Sequence, residues 1–546
     1  MMKKILNHRS KTIFSAALIL AITSLASRLL GLFRDRLLAG RFGAGDELDI
    51  YFAAFRLPDL IYNILIIGAI SSAFIPVFAQ YFKQDEKEAW RLVSGLFNLV
   101  SLILIVLAIL FILLAPLLIH FVAPGFSGLK SEMTVILIRI MFLSPILLGM
   151  SSIFSGILQY FNRFFVYSLA PIMYNLGIIF GILFFVPLMG LTGLAWGVVF
   201  GALLHLLIQL PSTIYSGFRF QKVLTFYHSG IKKIIKLMIP RTIGLAGSQI
   251  NFLVITAIAS TLASGSIAVF NLSNNLQYVP IGIIGISFSM AVFPRLAKSY
   301  AEEKDEEFSQ NFSSVFSQIL YLVLPITVLF FLLRAQIVRI ILGTGQFGWV
   351  DTRLTAAALG IFAFSIFAQS LLPLISRAFY AFHNTKTPVL ISLGSIIINI
   401  AGSFLFVWAL KNSNWFSLFV SRILKLQGIN NFSVLGLPIA FSLVAILNFF
   451  WLLKSYDKKT KLWKPQLILK SLMKMIVSCL FMAITIYALL RLLDLFVNTH
   501  TFVGIFIQTA ISGGIGILIY FIVSLLLRSP EPRPLIERFI RKYGVK

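Results

Sequence analysis

The sequence predicts an all-α polytopic membrane protein, and three observations lead to this fold class. Hydrophobic residues make up 59% of the 546 residues, and the mean hydropathy is +0.94. The apolar runs are long and continuous, without the alternation of a membrane β-barrel. Backbone groups in lipid must also find partners within their own segment, which favours helices.

The apolar runs predict about fourteen membrane spans, the first of them a retained helix and not a cleaved signal peptide. Connections between the spans are short, so we expect no soluble catalytic domain. The predicted spans are 12–33, 50–80, 92–118, 134–158, 165–187, 191–215, 235–262, 267–293, 312–334, 354–381, 387–410, 433–453, 467–491 and 502–527.

An internal repeat is visible at an offset of 218 residues. The segment AFIPVFA at 73–79 corresponds to AVFPRLA at 291–297, and an acidic loop follows each. The repeat predicts two pseudo-symmetric six-helix lobes with a further helix pair behind them. The expected domains are an N-terminal lobe at 1–232, a C-terminal lobe at 233–455, the helix pair at 456–528 and a basic tail at 529–546.

Lysine and arginine predict the orientation. If the N-terminus is cytoplasmic, the cytoplasmic side carries 31 of these residues and the opposite side 11. The positive-inside rule then places both termini in the cytoplasm. The net charge of +27 is therefore explained by basic residues that set the topology and attract anionic lipid headgroups. We expect no nucleic-acid partner.

Metal and thiol chemistry have no support in the sequence. The single cysteine, Cys479, lies in an apolar run, where a role in the core is expected. The histidines are scattered and HExxH is absent. We expect no metal site and no cofactor.

Charged residues gather within the first two predicted spans and at their borders. Each costs about 2.5–3.5 kcal/mol at bilayer depth on insertion scales, so such residues usually face a wet cavity, a partner charge or a ligand. Between Glu132 and Glu302 the chain has no acidic residue at all. We call the following six residues the polar locus: Arg28, Arg34, Asp35, Asp49, Arg56 and Asp59.

Three members of the polar locus share one face of the second span, since Asp49, Arg56 and Asp59 recur at the helical period. An ion pair between neighbouring turns and a cavity wall both explain such a face. Arg28 and Arg34 add charge that the acids do not obviously neutralise, which favours the cavity.

The second half offers Arg241, an interfacial anchor or a cavity residue, and the amides Asn274 and Asn275, which suit helix contact or a cavity. Guanidinium forks bind phosphate and carboxylate. The residues therefore predict a transporter of an anionic, phosphate-bearing substrate that works by alternating access. A membrane transferase that uses Asp49 or Asp59 stays open by spacing alone.

Several motifs lie in order along the chain. SRLLGLFRD at 27–35, FGAG at 42–45 and the segment 49–58 are the most specific, and shorter matches include APGF at 123–126 and TKTP at 385–388. With these motifs the chain resembles the MurJ (MviN) lipid II flippases of the multidrug/oligosaccharidyl-lipid/polysaccharide (MOP) transporter superfamily.

The resemblance implies fourteen helices, a central cavity and a hydrophobic groove formed with the last two helices. It implies a transporter, not an enzyme, that moves the undecaprenyl-pyrophosphate-linked peptidoglycan precursor from the inner to the outer leaflet of a bacterial cytoplasmic membrane. The family's essential arginines correspond to Arg28 and Arg34, and its helix-two aspartate corresponds to Asp49. We expect a monomer whose partners are lipid II and membrane lipids.

The chain departs from the family pattern at Tyr62, Asn63 and Ile67, and where Asn274 and Asn275 stand in place of an arginine. Arg56 and Arg241 are expected to compensate, with Asp35 and Asp59 as charge partners. Carboxylates that coordinate sodium in some members have no counterpart here, so coupling to the membrane potential or to an ion stays open. The alternatives are a flippase for another polyprenyl-linked oligosaccharide (an O-antigen or capsule unit), a multidrug exporter and a membrane transferase.

Overall fold

The computed structural model describes residues 13–64, 70–221, 228–460 and 465–532, and the regular elements in these ranges are helices. Two compact units divide the chain, Met1–Ala268 and Val269–Lys546. The boundaries drawn from the sequence at 232/233 and 455/456 stay predictions. The basic tail beyond residue 532 lies outside the described residues.

The first unit is built from eight described helices that lie wholly within it. These are α1 (Ile13–Phe42), α2 (Asp46–Tyr62), α3 (Ile70–Gln84), α4 (Glu86–Val122), α5 (Gly128–Tyr160), α6 (Phe164–Met189), α7 (Thr192–Tyr215) and α8 (Ser229–Ser260). The second predicted span corresponds to α2 and α3 together.

Ten further described helices complete the chain, the first of which crosses the boundary between the units. These are α9 (Ser266–Ala301), α10 (Asp305–Leu332), α11 (Arg334–Ile341), α12 (Trp349–Ala363), α13 (Ile366–Ala381), α14 (Lys386–Lys411), α15 (Trp415–Ile423), α16 (Gly436–Thr460), α17 (Pro465–Asp494) and α18 (Phe502–Leu526).

The predicted fold class is confirmed. Among the described helices, ten are long and apolar enough to cross a membrane, or eleven if α12 and α13, which meet at 45°, form one span. The predicted number of fourteen spans stays a prediction. Many of these helices expose large apolar side chains, such as Leu113 and Phe121 on α4, as lipid contact requires.

Glycine lets α6 and α7 approach each other closely. A Cβ atom on Gly177 would lie 2.2 Å from the Cα atom of Gly201, and one on Gly181 would lie 2.4 Å from the Cα atom of Gly197. Apolar surfaces gain little from leaving lipid, so membrane helices rely on such close packing. We call these four residues the glycine seam.

The second unit has its own core, in which α17 and α18 pack on α10. The Tyr520 hydroxyl donates to the carbonyl of Tyr321 at 2.8 Å, and the Tyr321 hydroxyl lies 2.9 Å from Ser524 Oγ. Cys479 is buried in the same cluster, which confirms its expected place in the core.

Two turns of the backbone agree with the internal repeat. The turn after α5 places Asn162 at φ +57°, and the turn after α13 places His383 at φ +56°, so both residues are left-handed. Asparagine and histidine adopt this conformation more readily than most residues. The two turns, 221 residues apart, therefore share a left-handed residue at nearly the repeat offset.

Candidate functional site

Arg34 is held by two neighbours within the first unit. Its Nε and Nη2 atoms donate to Asp35 Oδ1 at 3.1 and 2.8 Å, and its Nη1 atom donates to Asn175 Oδ1 on α6 at 3.1 Å. Asp35 is buried, so the arginine supplies the opposite charge that a buried carboxylate requires. The pairing fixes the direction of the Arg34 guanidinium and neutralises its charge.

Arg28 differs from Arg34, because it has no such partner in the part of the chain that the structure describes. Its side chain is half-buried on α1, and among the described residues it takes part in no hydrogen bond, ion pair or cation–π contact. The two arginines are six positions apart, and six helical residues do not complete two turns, so their side chains leave α1 in different directions. Arg28 therefore keeps its full capacity for an anionic ligand.

Asp49 caps the start of another helix. Its two carboxylate oxygens accept the backbone N–H groups of Gly265 at 2.8 Å and Ala268 at 2.9 Å. Both groups lie at the N-terminus of α9, where N–H groups lack partners inside the helix and the helix dipole favours a negative charge. Asp49 is 1% exposed. Its predicted contact with substrate stays a prediction, and the geometry adds a structural role.

Lys130 joins Asp49 to the surface. Its Nζ atom lies 2.6 Å from Asp46 Oδ1 and 3.5 Å from Asp49 Oδ2, and it sits over the ring of Phe126. The backbone segments that flank this contact, around Ala44 and Gly265, lie very close to each other. A Cβ atom on Gly265, where φ is +83°, would lie 1.8 Å from the carbonyl oxygen of Ala44.

Arg56 contacts α8. Its Nε atom donates to Thr256 Oγ1 at 2.8 Å, and its guanidinium carbon lies 5.5 Å from the centre of the Phe252 ring. Asp59, one turn further along α2, accepts a hydrogen bond from Asn63 Nδ2 at 2.8 Å. Among the described residues the ion pair of neighbouring turns is thus absent from α2, and both side chains find other partners.

Of the residues predicted in the second half of the chain, the structure describes the side chains of Asn274 and Asn275. Asn274 Oδ1 accepts from Gln277 Nε2 at 2.9 Å, and Gln277 Oε1 accepts from Gln369 Nε2 at 3.1 Å. Asn274 therefore belongs to a chain of amides within the second unit, while Asn275 is half-buried on the same helix. The side chain of Arg241 lies outside the described residues, as does Ile67.

Sequence reasoning brought together the members of the polar locus but missed their partners. Lys130, Asn175 and Thr256 were not expected to contact the locus, because each lies far from it in the chain. The polar side chain of Asn175 inside an apolar run was a signal that could have indicated one of these partners.

A family model described as "Lipid II flippase MurJ" matches residues 38–507. The "Probable lipid II flippase MurJ" of Buchnera aphidicola subsp. Acyrthosiphon pisum is 32% identical over 385 residues, which cover 69% of this chain and 75% of the relative. The "Lipid II flippase MurJ" of Burkholderia cenocepacia is 27% identical over 404 residues, 72% of this chain and 78% of that protein.

Two solved structures also match this chain. A lipid II flippase MurJ in an inward closed conformation matches with a TM-score of 0.74 and 26% identity, over 95% of this chain and all of that one. A multidrug resistance MATE family transporter of the MOP superfamily, solved in an inward-facing conformation, matches in fold with a TM-score of 0.64 and 15% identity, over 81% of this chain and 99% of that one.

The helical fold is one that a lipid II flippase and a multidrug transporter share. The chain belongs to the lipid II flippase MurJ family, which is a family of transporters and not of enzymes.

Proposed function

We propose that this protein moves lipid II from the inner to the outer leaflet of a bacterial cytoplasmic membrane by alternating access. Membership of the MurJ family supports the substrate, and the apolar helices support a multi-pass protein of that membrane. Both termini lie in the cytoplasm in this proposal, as the distribution of lysine and arginine favours. The protein acts as a monomer without nucleic acid or a bound cofactor.

One observation carries the mechanism, namely the half-buried guanidinium of Arg28 without a partner among the described residues. The lipid carrier of the precursor is joined through a pyrophosphate, and a guanidinium binds phosphate oxygens in pairs. Arg28 makes the first contact with the pyrophosphate, and Arg34, already oriented by Asp35 and Asn175, adds its remaining donors. The polyprenyl tail lies along α17 and α18.

Rescue of a bacterial strain depleted of its own lipid II flippase tests this proposal. The wild-type chain should restore growth and display precursor on the outer face, whereas Arg28→Ala should not. Arg139→Gln is the control, because Arg139 is exposed on α5 and its Nε atom donates only weakly, at 3.3 Å, to the Ile112 carbonyl.

Two results would count against the proposal. If the wild-type chain reaches the membrane and fails to rescue, its substrate is another polyprenyl-linked oligosaccharide. If Arg28→Ala rescues as well as the wild type does, Arg28 does not bind the pyrophosphate.

We also propose that transport is driven by the membrane potential or by an ion gradient. Moving one elementary charge across the membrane contributes about 2.3 kcal/mol per 100 mV. Proteoliposomes with an imposed potassium diffusion potential, or with a sodium or proton gradient and no potential, separate the two drives.

A further inference from the structure

We propose that the first unit contains a binding site for a primary ammonium group, with Asp59 as its anion. The site is a cavity of about 190 Å³ that is open on one side and lined by residues of α2, α5, α6 and α7. The presence of the site rests on its geometry alone. The source of the ammonium group rests on the proposed function.

Aromatic rings and one carboxylate give the cavity its chemistry. Phe55, Tyr62 and Tyr174 contribute rings to the wall, and Asp59 and His205 contribute the ionisable groups beside the tyrosines. Ring faces attract cations through their quadrupole, most strongly where water is excluded. A carboxylate among aromatic rings therefore favours an organic cation and repels phosphate.

The carboxylate of Asp59 has capacity left for a ligand. Asn63 gives it the one hydrogen bond that it receives from the described residues, at 2.8 Å. Arg56 attracts it through space, but the Nε atom of Arg56 is bonded to Thr256 and its guanidinium lies against Phe252, so no ion pair forms between the two. A second cation can therefore approach Asp59 from the cavity.

His205 supplies an acceptor rather than a competing charge. Ser151 Oγ lies 2.7 Å from His205 Nδ1 and 3.0 Å from the His205 carbonyl, and it accepts from Gln209 Nε2 at 2.7 Å. The hydroxyl has one proton. All three contacts are satisfied when that proton goes to the carbonyl and Nδ1 carries its own. The Nε2 atom is then unprotonated and accepts a hydrogen bond.

A primary ammonium fits this arrangement better than a metal ion does. It has three N–H donors, which suit Asp59, His205 and the ring faces. Alkaline-earth cations take six or more oxygen ligands, and no group of three metal-ligating acids, histidines or cysteines occurs in the described part of the chain.

The second unit contains a cavity that provides an internal comparison. The repeat offset of 218 residues takes Asp59 to Gln277, and Gln277 is bonded to Gln369, which lines a cavity of about 320 Å³. Its polar lining includes Asn448 and Tyr278, and no residue of that lining is charged. The neutral cavity should not bind ammonium.

The ammonium group has two possible sources, a free amine and the substrate itself. If the precursor that the chain moves contains a free primary amine, which is charged at neutral pH, the Asp59 cavity receives this amine.

Isothermal titration calorimetry on the full chain in lipid nanodiscs tests the site, with ethylammonium as the probe and acetamide as its uncharged counterpart. Wild-type protein should bind ethylammonium saturably and acetamide not at all. Asp59→Asn should weaken ethylammonium binding by about tenfold or more. Asn448→Ala, in the neutral cavity, should bind the probe as the wild type does.

Other results would overturn the proposal. These are equal binding by Asp59→Asn and wild type, binding of acetamide, or displacement of the probe by equimolar sodium. If Asp59→Asn elutes as an aggregate, Tyr174→Leu replaces it and should weaken binding severalfold through loss of one ring face.

A lysine-containing stem peptide and its Nε-acetylated form identify the source. Tighter binding of the free-amine form indicates the substrate, and equal binding of the two forms at a level below ethylammonium indicates a free amine. Rescue by the wild-type chain does not depend on this titration, so failure of the site and failure of the flippase function are distinguishable.

Discussion

The carboxylate of Asp49 accepts the backbone N–H group of Gly265 at 2.8 Å although 216 residues separate them in the chain. The same carboxylate accepts the N–H group of Ala268, so one side chain serves the start of a helix from outside it. Buried N–H groups that lose their acceptor cost about 1–3 kcal/mol each.

Asp49→Ala should therefore lower the unfolding free energy by about 2–4 kcal/mol. Tryptophan fluorescence during thermal unfolding in detergent measures the effect. Asp46→Ala is the control, because the Asp46 side chain is exposed and its pair with Lys130 contributes less than about 1 kcal/mol. Equal melting temperatures for Asp49→Ala and the wild type would show that Asp49 does not stabilise the start of α9.

The orientation of Arg34 depends on Asp35 and Asn175. Arg34→Lys should abolish rescue, because an ammonium lacks the planar fork that contacts both partners. Asn175→Leu should slow the rescued growth while leaving the protein folded, because Arg34 loses one of the two partners that orient it. Growth of the depleted strain and gel filtration of the variants measure the two properties, and wild-type growth with Arg34→Lys would show that charge alone suffices.

The glycine seam should be intolerant of even one methyl group. A Cβ atom on Gly177 would lie 2.2 Å from the backbone of Gly201, so Gly177→Ala must force α6 and α7 apart. We expect a loss of about 2–4 kcal/mol in unfolding free energy or failure to accumulate in the membrane.

Gly514→Ala provides the matched control, since no atom outside the local helix lies within 4 Å of its Cβ position. It should leave the melting temperature unchanged or raise it slightly, because alanine favours a helix by about 1 kcal/mol over glycine. A similar loss for both variants would point to helix propensity and not to the seam.

The hydroxyl of Tyr520 ties α18 to α10. Tyr520→Phe removes its hydrogen bond to the Tyr321 carbonyl and should cost about 0.5–1.5 kcal/mol. Tyr487→Phe, on an exposed part of α17, should cost less than half of that. Thermal unfolding of the two variants in one detergent gives the comparison, and equal melting temperatures would contradict it.

The fold class followed from the sequence because long apolar runs in lipid leave the backbone few solutions. The polar locus followed for a related reason, since charges inside such runs are costly and therefore stand out. Helical period likewise predicts that Asp49, Arg56 and Asp59 lie on one face of α2.

The sequence did not predict the partners of those residues. Ten residues separate Asp49 from Asp59, which at 1.5 Å per residue puts them about 15 Å apart along α2. One reaches the start of α9, whereas the other lines a cavity. Which distant backbone meets each side chain depends on packing between helices, and a period along one helix contains no record of it.

The glycine seam also bears on how the protein is made. Its two helices are neighbours in the chain, and only Gly190 and Leu191 lie between Met189 and Thr192. Contacts between segments so close in sequence form early, because little chain must be ordered to close the loop. The α6–α7 hairpin is therefore expected to finish its packing before the second unit has been synthesised.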